Sequence, residues 1–241
     1  MRVIIEKDYQ QLSKKAALLV ASQVRLRPDS VLGLATGSTP LGMYDELINM
    51  YERDEIDFSQ VITFNLDEYY QLPPDNPRSY SYYMQENLFK HINIKPENTH
   101  IPRGMADNIE QEVQRYDQAI NRVGGIDMQV LGIGPNGHIG FNEPDDRLNV
   151  QTHMVNLTEE TIEANSRFFE AREQVPRQAI TMGIATILKA GRILLLASGR
   201  NKARVIRESI SGYVSTRVPA SLLQTHPEVT VIIDEEAASM I

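Results

Sequence analysis

The 241-residue chain has no cysteine, so it forms no disulfide, offers no thiolate nucleophile and holds no metal through sulfur. It is also short of positive charge. Against 32 aspartates and glutamates stand 24 lysines and arginines, a formal net charge of −8, which excludes a surface devoted to neutralising nucleic-acid phosphates, though not a small local basic pocket. Long apolar runs are missing as well. Ile193–Ala197, the longest in the C-terminal half, is far below bilayer length, and the opening MRVIIEKDYQ becomes charged too soon for a secretory signal. No internal repeat, low-complexity tract or proline-rich linker divides the chain. The expectation is a cytoplasmic protein with no membrane segment, folded as a single α/β domain over residues 1–241.

An apolar content of 41% with 23% charged residues suits an ordinary globular protein, neither disordered nor membrane-bound. Val31–Ala35, Val61–Leu66, Met128–Ile133, Ile193–Ala197 and Val229–Ile233 are short, β-branched and bounded by glycine or polar residues. They read as buried strands of a parallel sheet. Helical periods lie between them. Leu12, Ala16, Leu19, Val20 and Val24 predict a helix over about Asp8–Arg27, closed by Pro28. Ile109, Val113, Tyr116, Ile120 and Val123 predict another, opened by a capping box at Asp107 and Glu110 and ended by Gly124–Gly125. This alternation predicts an α/β fold with a doubly wound, mostly parallel, Rossmann-like sheet and helices on both faces. Ligands then gather in the loops after Ala35, Leu66, Ile133 and Ala197, at the carboxyl ends of the strands.

Three of those loops carry chemistry. Thr36-Gly37-Ser38-Thr39-Pro40 follows a strand and opens a helix, with Thr39 as N-cap and Pro40 as first helical residue. Backbone amides, two hydroxyls and a positive helix end converge there, which suits a phosphate; the bland alternative is a turn that uses glycine and proline for geometry. Without the lysine of a Walker loop it does not suit a nucleoside triphosphate. Asn65-Leu66-Asp67-Glu68-Tyr69 ends a strand in two adjacent carboxylates, of which only one can face the site. Alternatively Asp67 caps a helix and Glu68 is solvated. Gly132 to Pro144 brackets Asn136, His138 and Glu143 with special-backbone residues, and a histidine beside a carboxylate can act as a general base near neutral pH. As a metal site the segment is weak, lacking a second histidine at ligand spacing. Two cations complete the set. Lys202 follows a strand end and starts a helix, with Arg200 as its rival; Arg167, read alone, is a solvated helix charge.

Taken together, LATGSTPLGMY, FNLDEYY, GIGPNGHIGFNEP, NSRFF, VPRQAITMG and SGRNKA resemble the glucosamine-6-phosphate deaminase (isomerase) family, in order from about Val31 to Val231. The resemblance implies a small-molecule sugar phosphate as substrate, its phosphate held by Gly37, Ser38, Thr39, Arg167 and Lys202. It implies Asp67 as the base that moves the C2 proton to C1, and His138 as the catalyst of ring opening, assisted by Asn136 and Glu143. Neither metal nor redox cofactor is called for. One departure is Asn136, where many members carry aspartate: Glu143 alone then supplies the anion near His138. Another is the missing C-terminal extension and basic regulatory patch, where residues 150–156 offer only His153. A monomer is favoured over a hexamer, with no activation by N-acetylglucosamine 6-phosphate. The competing readings are a 6-phosphogluconolactonase, which leaves NLDEYY without a use, and a non-catalytic sugar-phosphate sensor, which should lack the acid and base residues. Glu143–Thr158 is the expected lid.

Overall fold

The computed structural model describes residues 1–166, 169 and 171–241, and not the side chains of Ala164, Asn165 and Glu173. In chain order the elements are β1 (Arg2–Glu6), α1 (Tyr9–Leu26), β2 (Val31–Leu34), α2 (Leu41–Glu52), β3 (Ile62–Asn65), β4 (Asp67–Tyr69), α3 (Tyr80–Asn87), β5 (Thr99–His100) and α4 (Ile109–Arg122). They continue as β6 (Met128–Leu131), β7 (His153–Asn156), α5 (Glu159–Ser166), β8 (Gln178–Thr181), α6 (Ile184–Leu188), β9 (Arg192–Ala197), α7 (Ala203–Ser209) and β10 (Val229–Asp234). No helix among the described residues is long and apolar enough to cross a membrane.

A seven-stranded sheet runs β1-β10-β9-β6-β2-β3-β5, parallel at each pairing. From β2 the chain winds outward through β3 and β5, then returns to the other side of β2 with β6 and winds the opposite way to β9 and β10. The winding therefore reverses between β2 and β6, and the crevice at their carboxyl ends is where such a sheet takes its ligand. Successive side chains alternate through the sheet. Val31, Leu131, Ile193, Leu195 and Val231 pack with α4, α6 and α7 on one face, while Leu32, Leu34, Val130, Leu194 and Ile232 pack with α1, α2 and α3 on the other. That is the doubly wound sheet expected, extended by β1 and β5 at its two edges.

Several local expectations need correction. The run Val61–Leu66 does not continue as one strand into the carboxylates. β3 stops at Asn65, and Asp67–Tyr69 belongs to a second, antiparallel sheet of order β4-β8-β7. Leu66 joins the two sheets: its amide donates to Leu34 O of the first and its carbonyl accepts from Met182 N beyond β8, at 3.0 and 2.7 Å. The α2 helix begins at Leu41 with Pro40 as its cap residue and no side-chain cap: the first helical bond, Tyr44 N to Pro40 O, is one residue later than a Thr39 cap requires. At α4 the capping oxygen belongs to Asn108, which accepts from Gln111 N, so Asp107 and Glu110 form no capping box. The expected lid is also constrained, since residues 153–156 are β7, paired in register with β8.

Candidate active site

A cavity of about 630 Å³ opens at the carboxyl ends of β2 and β6, and Gly37, Ser38, Thr39, Asp67, Asn136, His138 and Lys202 all line it. Glu143 sits behind that wall, in contact with Asn136 and His138. Arg200 is absent from the lining, which decides between it and Lys202. Arg167 lies outside the described residues.

One end is the loop after β2. Gly37 has φ +95, a left-handed backbone that costs a side chain but not glycine, and it turns the chain into the start of α2. Tyr44 donates to Ala35 O at 2.5 Å, Tyr83 to Gly37 O at 2.6 Å, and Tyr9 to both Ser38 O and Thr39 O at 3.0 and 3.1 Å. The loop's carbonyls are thus occupied. Its amides at Ser38 and Thr39 donate to no described residue. Unsatisfied donors next to a helix N-terminus form an anion-binding concavity. Lys202 ends the turn Arg200–Lys202 that starts α7, and its ammonium donates to Ile133 O at 2.8 Å, which carries a positive charge into the same cavity.

The other end is built on β4. Alternation along that strand sends Asp67 into the cavity and Glu68 to the far side. Glu68 is 1% exposed and accepts the amides of Tyr69, Tyr80 and Ser81 at 2.8–2.9 Å, which fasten it to the first turn of α3; burial raises its carboxyl above the usual range and these bonds offset that only in part. Asp67 is 6% exposed, and among the described residues none donates to its carboxylate. Burial first, and the Glu68 charge second, push its carboxyl up to about 8, a value suited to a base working near neutral pH.

Between the ends lies the loop after β6. A side chain at Gly134 would place its Cβ 2.3–2.5 Å from the His138 ring, so glycine there lets the imidazole lie flat on the backbone. His138 Nδ1 stands 3.2 Å from Glu143 Oε2. The same oxygen accepts Asn136 Nδ2 at 2.8 Å, while Thr161 donates its hydroxyl to Glu143 Oε1. Burial raises the Glu143 carboxyl, but the bonds from His138, Thr161 and Asn136 outweigh it and hold the group below the usual range. An ionised partner at Nδ1 fixes the tautomer with a proton there and leaves Nε2 as the acceptor. Asn136 Oδ1 meanwhile accepts His138 N at 3.2 Å, so Asn136 bridges the backbone of the histidine to its anion.

Among the lining residues that sequence reasoning missed are Arg78, Tyr80, Tyr83 and Thr161. The dense aromatic run Tyr80-Ser81-Tyr82-Tyr83 hinted at the two tyrosines alone, and it fits a packed helix equally well. Among the described residues no group of three or more histidines and carboxylates could hold a metal ion.

The chain matches the family described as Glucosamine-6-phosphate isomerases/6-phosphogluconolactonase over residues 6–232. It is 72% identical to a glucosamine-6-phosphate deaminase of Halothermothrix orenii and 63% identical to one of Alkaliphilus metalliredigens, each over 100% of both chains. Among solved structures it is similar to a monomeric glucosamine-6-phosphate deaminase, with a TM-score of 0.98, 47% identity and 100% of both chains covered. A 6-phosphogluconolactonase of Thermotoga maritima shares the fold, with a TM-score of 0.77 at 19% identity over 97% of this chain and 99% of the other.

Proposed function

The chain belongs to the family of glucosamine-6-phosphate isomerases and 6-phosphogluconolactonases, and within it we propose that it is a glucosamine-6-phosphate deaminase, releasing fructose 6-phosphate and ammonia. One observation carries this. A desolvated carboxyl group, an imidazole backed by a carboxylate, and a cradle of free amides with a lysine come together at one cavity of about 630 Å³. The 72% and 63% identical relatives, both named for this reaction, support it.

On this reading the amides of Ser38 and Thr39, with Lys202 and Arg167, hold the phosphate. His138 Nε2 takes the anomeric hydroxyl proton and returns it to the ring oxygen, which opens the pyranose; Glu143 stabilises the imidazolium between the two transfers. Asp67 then removes the C2 proton and delivers it to C1, turning the amino aldehyde into a C2 imine. Water adds to C2, the carbon–nitrogen bond breaks, and ammonia leaves behind a ketose. A lactonase would need none of the C2-to-C1 transfer and so would leave Asp67 idle. The proposal includes a cytoplasmic location and hyperbolic kinetics, and a monomer, the last supported by the monomeric solved relative.

The test is release of ammonia and fructose 6-phosphate from glucosamine 6-phosphate, with a metal chelator present and Asp67→Asn as control. Equal yields of both products, lost in the variant, are expected. Binding of substrate without turnover would overturn the proposal and favour the sensor reading.

A further inference from the structure

We propose that Tyr83 and Tyr9 are positioning residues for the substrate phosphate: their hydroxyls hold the carbonyls of the Gly37–Thr39 loop outward so that the opposite amides stay free for an anion. The inference deepens the reading of that loop as the phosphate site and rests on it.

The geometry follows from the peptide bond. In a trans peptide the carbonyl of one residue and the N–H of the next point in opposite directions, and no cis bond occurs among the described residues. Tyr83, from α3, donates to Gly37 O at 2.6 Å; the N–H of Ser38 is therefore aimed away from α3. Tyr9, from the first turn of α1, donates to Ser38 O at 3.0 Å, which aims the N–H of Thr39 away from α1. The same hydroxyl accepts Gly42 N at 2.8 Å, so it also ties the loop to the start of α2. Each tyrosine fixes one peptide plane, and each plane carries one of the two amides that have no acceptor among the described residues.

Neither contact is needed to fold the chain locally. The partners lie 46 and 29 positions apart in sequence, and Tyr9 is 36% exposed, so its ring fills little of the core. An unheld glycine loop would rotate its peptides among several orientations, and binding an anion would then have to select one of them. The tyrosines make that selection before the substrate arrives.

The experiment replaces each hydroxyl alone, in Tyr83→Phe and Tyr9→Phe. Affinity for inorganic phosphate is measured by calorimetry, and KM and kcat with glucosamine 6-phosphate by ammonia release. Melting temperature in phosphate-free buffer checks the fold. Loss of one ordering hydrogen bond predicts phosphate affinity and KM weakened together by about three- to tenfold, with kcat within about twofold and the melting temperature little moved. Unchanged phosphate affinity in both variants would overturn the proposal, as would a loss confined to kcat. Phosphate affinity is read without turnover. Wild-type protein that binds phosphate yet releases no ammonia, with weaker binding in the variants, would leave this inference standing while the deaminase reading fell.

Discussion

The two ends of the cavity solve opposite electrostatic problems with opposite materials. At the loop after β2 the carbonyls of Gly37, Ser38 and Thr39 are taken by tyrosines and the amides of Ser38 and Thr39 are left over, so the backbone presents surplus donors. At β4 the surplus is of acceptors: Asp67 has no described donor, while its neighbour Glu68 receives three amides. Surplus donors cost little where water still reaches them, whereas a buried carboxylate without a partner loses much of its tendency to ionise. The contrast teaches where stability and function diverge. The donor end is ordered by tyrosine hydroxyls that add little to the fold, and the carboxyl end is held against the preference of its own side chain.

The sharpest way to break the contrast is Asp67→Asn. Removal of the proposed base should lower kcat by about 10²–10⁴-fold, and the same change should stabilise the protein. The Asp67 carboxyl titrates near 8 in the fold against about 3.9 in an unfolded chain. Its contribution to stability is complete below the unfolded value and is lost as pH rises toward 8, because the unfolded chain releases the proton first. The variant escapes that loss. Its melting temperature should exceed that of the wild type by a margin that widens from pH 5 to pH 8; equal margins at both would show that Asp67 ionises freely. For the same reason kcat/KM of the unmodified protein should fall about tenfold for each pH unit below roughly 8, a limb that the variant's residual activity should not share.

At the other end, Lys202→Gln tests a donor, not an acceptor. A charge-assisted contact is worth about 1.5–3 kcal/mol, so KM should rise about 10- to 100-fold with kcat largely kept, and the melting profile should show none of the pH-dependent gain expected of Asp67→Asn. A smaller effect belongs to Glu68→Gln. Without the neighbouring charge the acid limb should move to lower pH by about half a unit to one unit, and the α3 start should lose about 1 kcal/mol of capping. A pH profile identical to that of the wild type would mean that burial alone sets the basicity of Asp67.

The two ends also differed in how far the sequence disclosed them. Gly37 and Pro40 mark a turn through backbone chemistry that acts locally, and buried strands such as Val31–Leu34 and Ile193–Ala197 announce themselves by continuous apolar character. The doubly wound sheet and the turn after β2 were therefore legible. The antiparallel sheet was not. Asp67–Tyr69 and His153–Asn156 are strands of three and four residues that mix polar and apolar side chains, too short for a period to show, and both exist only because β8 lies between them. Tyr9 and Tyr83 escaped for a related reason, since a hydrogen bond spanning 29 or 46 positions leaves no trace in local spacing. At α4 adjacent residues Asp107 and Asn108 can each cap a helix, and in the fold the cap is Asn108.

The smallest effect, and the finest comparison, is Asn136→Asp in the loop that separates the two ends. Asn136 donates its amide to Glu143 Oε2, the oxygen that also faces His138 Nδ1. Aspartate at that position replaces a donor with an acceptor and sets two carboxylates at hydrogen-bond distance. Both cannot ionise there without mutual repulsion, so the pair should share a proton near neutral pH. Once ionised, the extra charge should hold the imidazolium formed during ring opening more firmly, so the pH profile of kcat/KM should differ from that of the unmodified protein while the maximal rate changes less than about tenfold. Ammonia release measured across pH in both proteins reads the difference. Superimposable profiles would mean that Glu143 already saturates the imidazole, and that Asn136 serves its backbone hydrogen bond to His138 and not the charge of the pair.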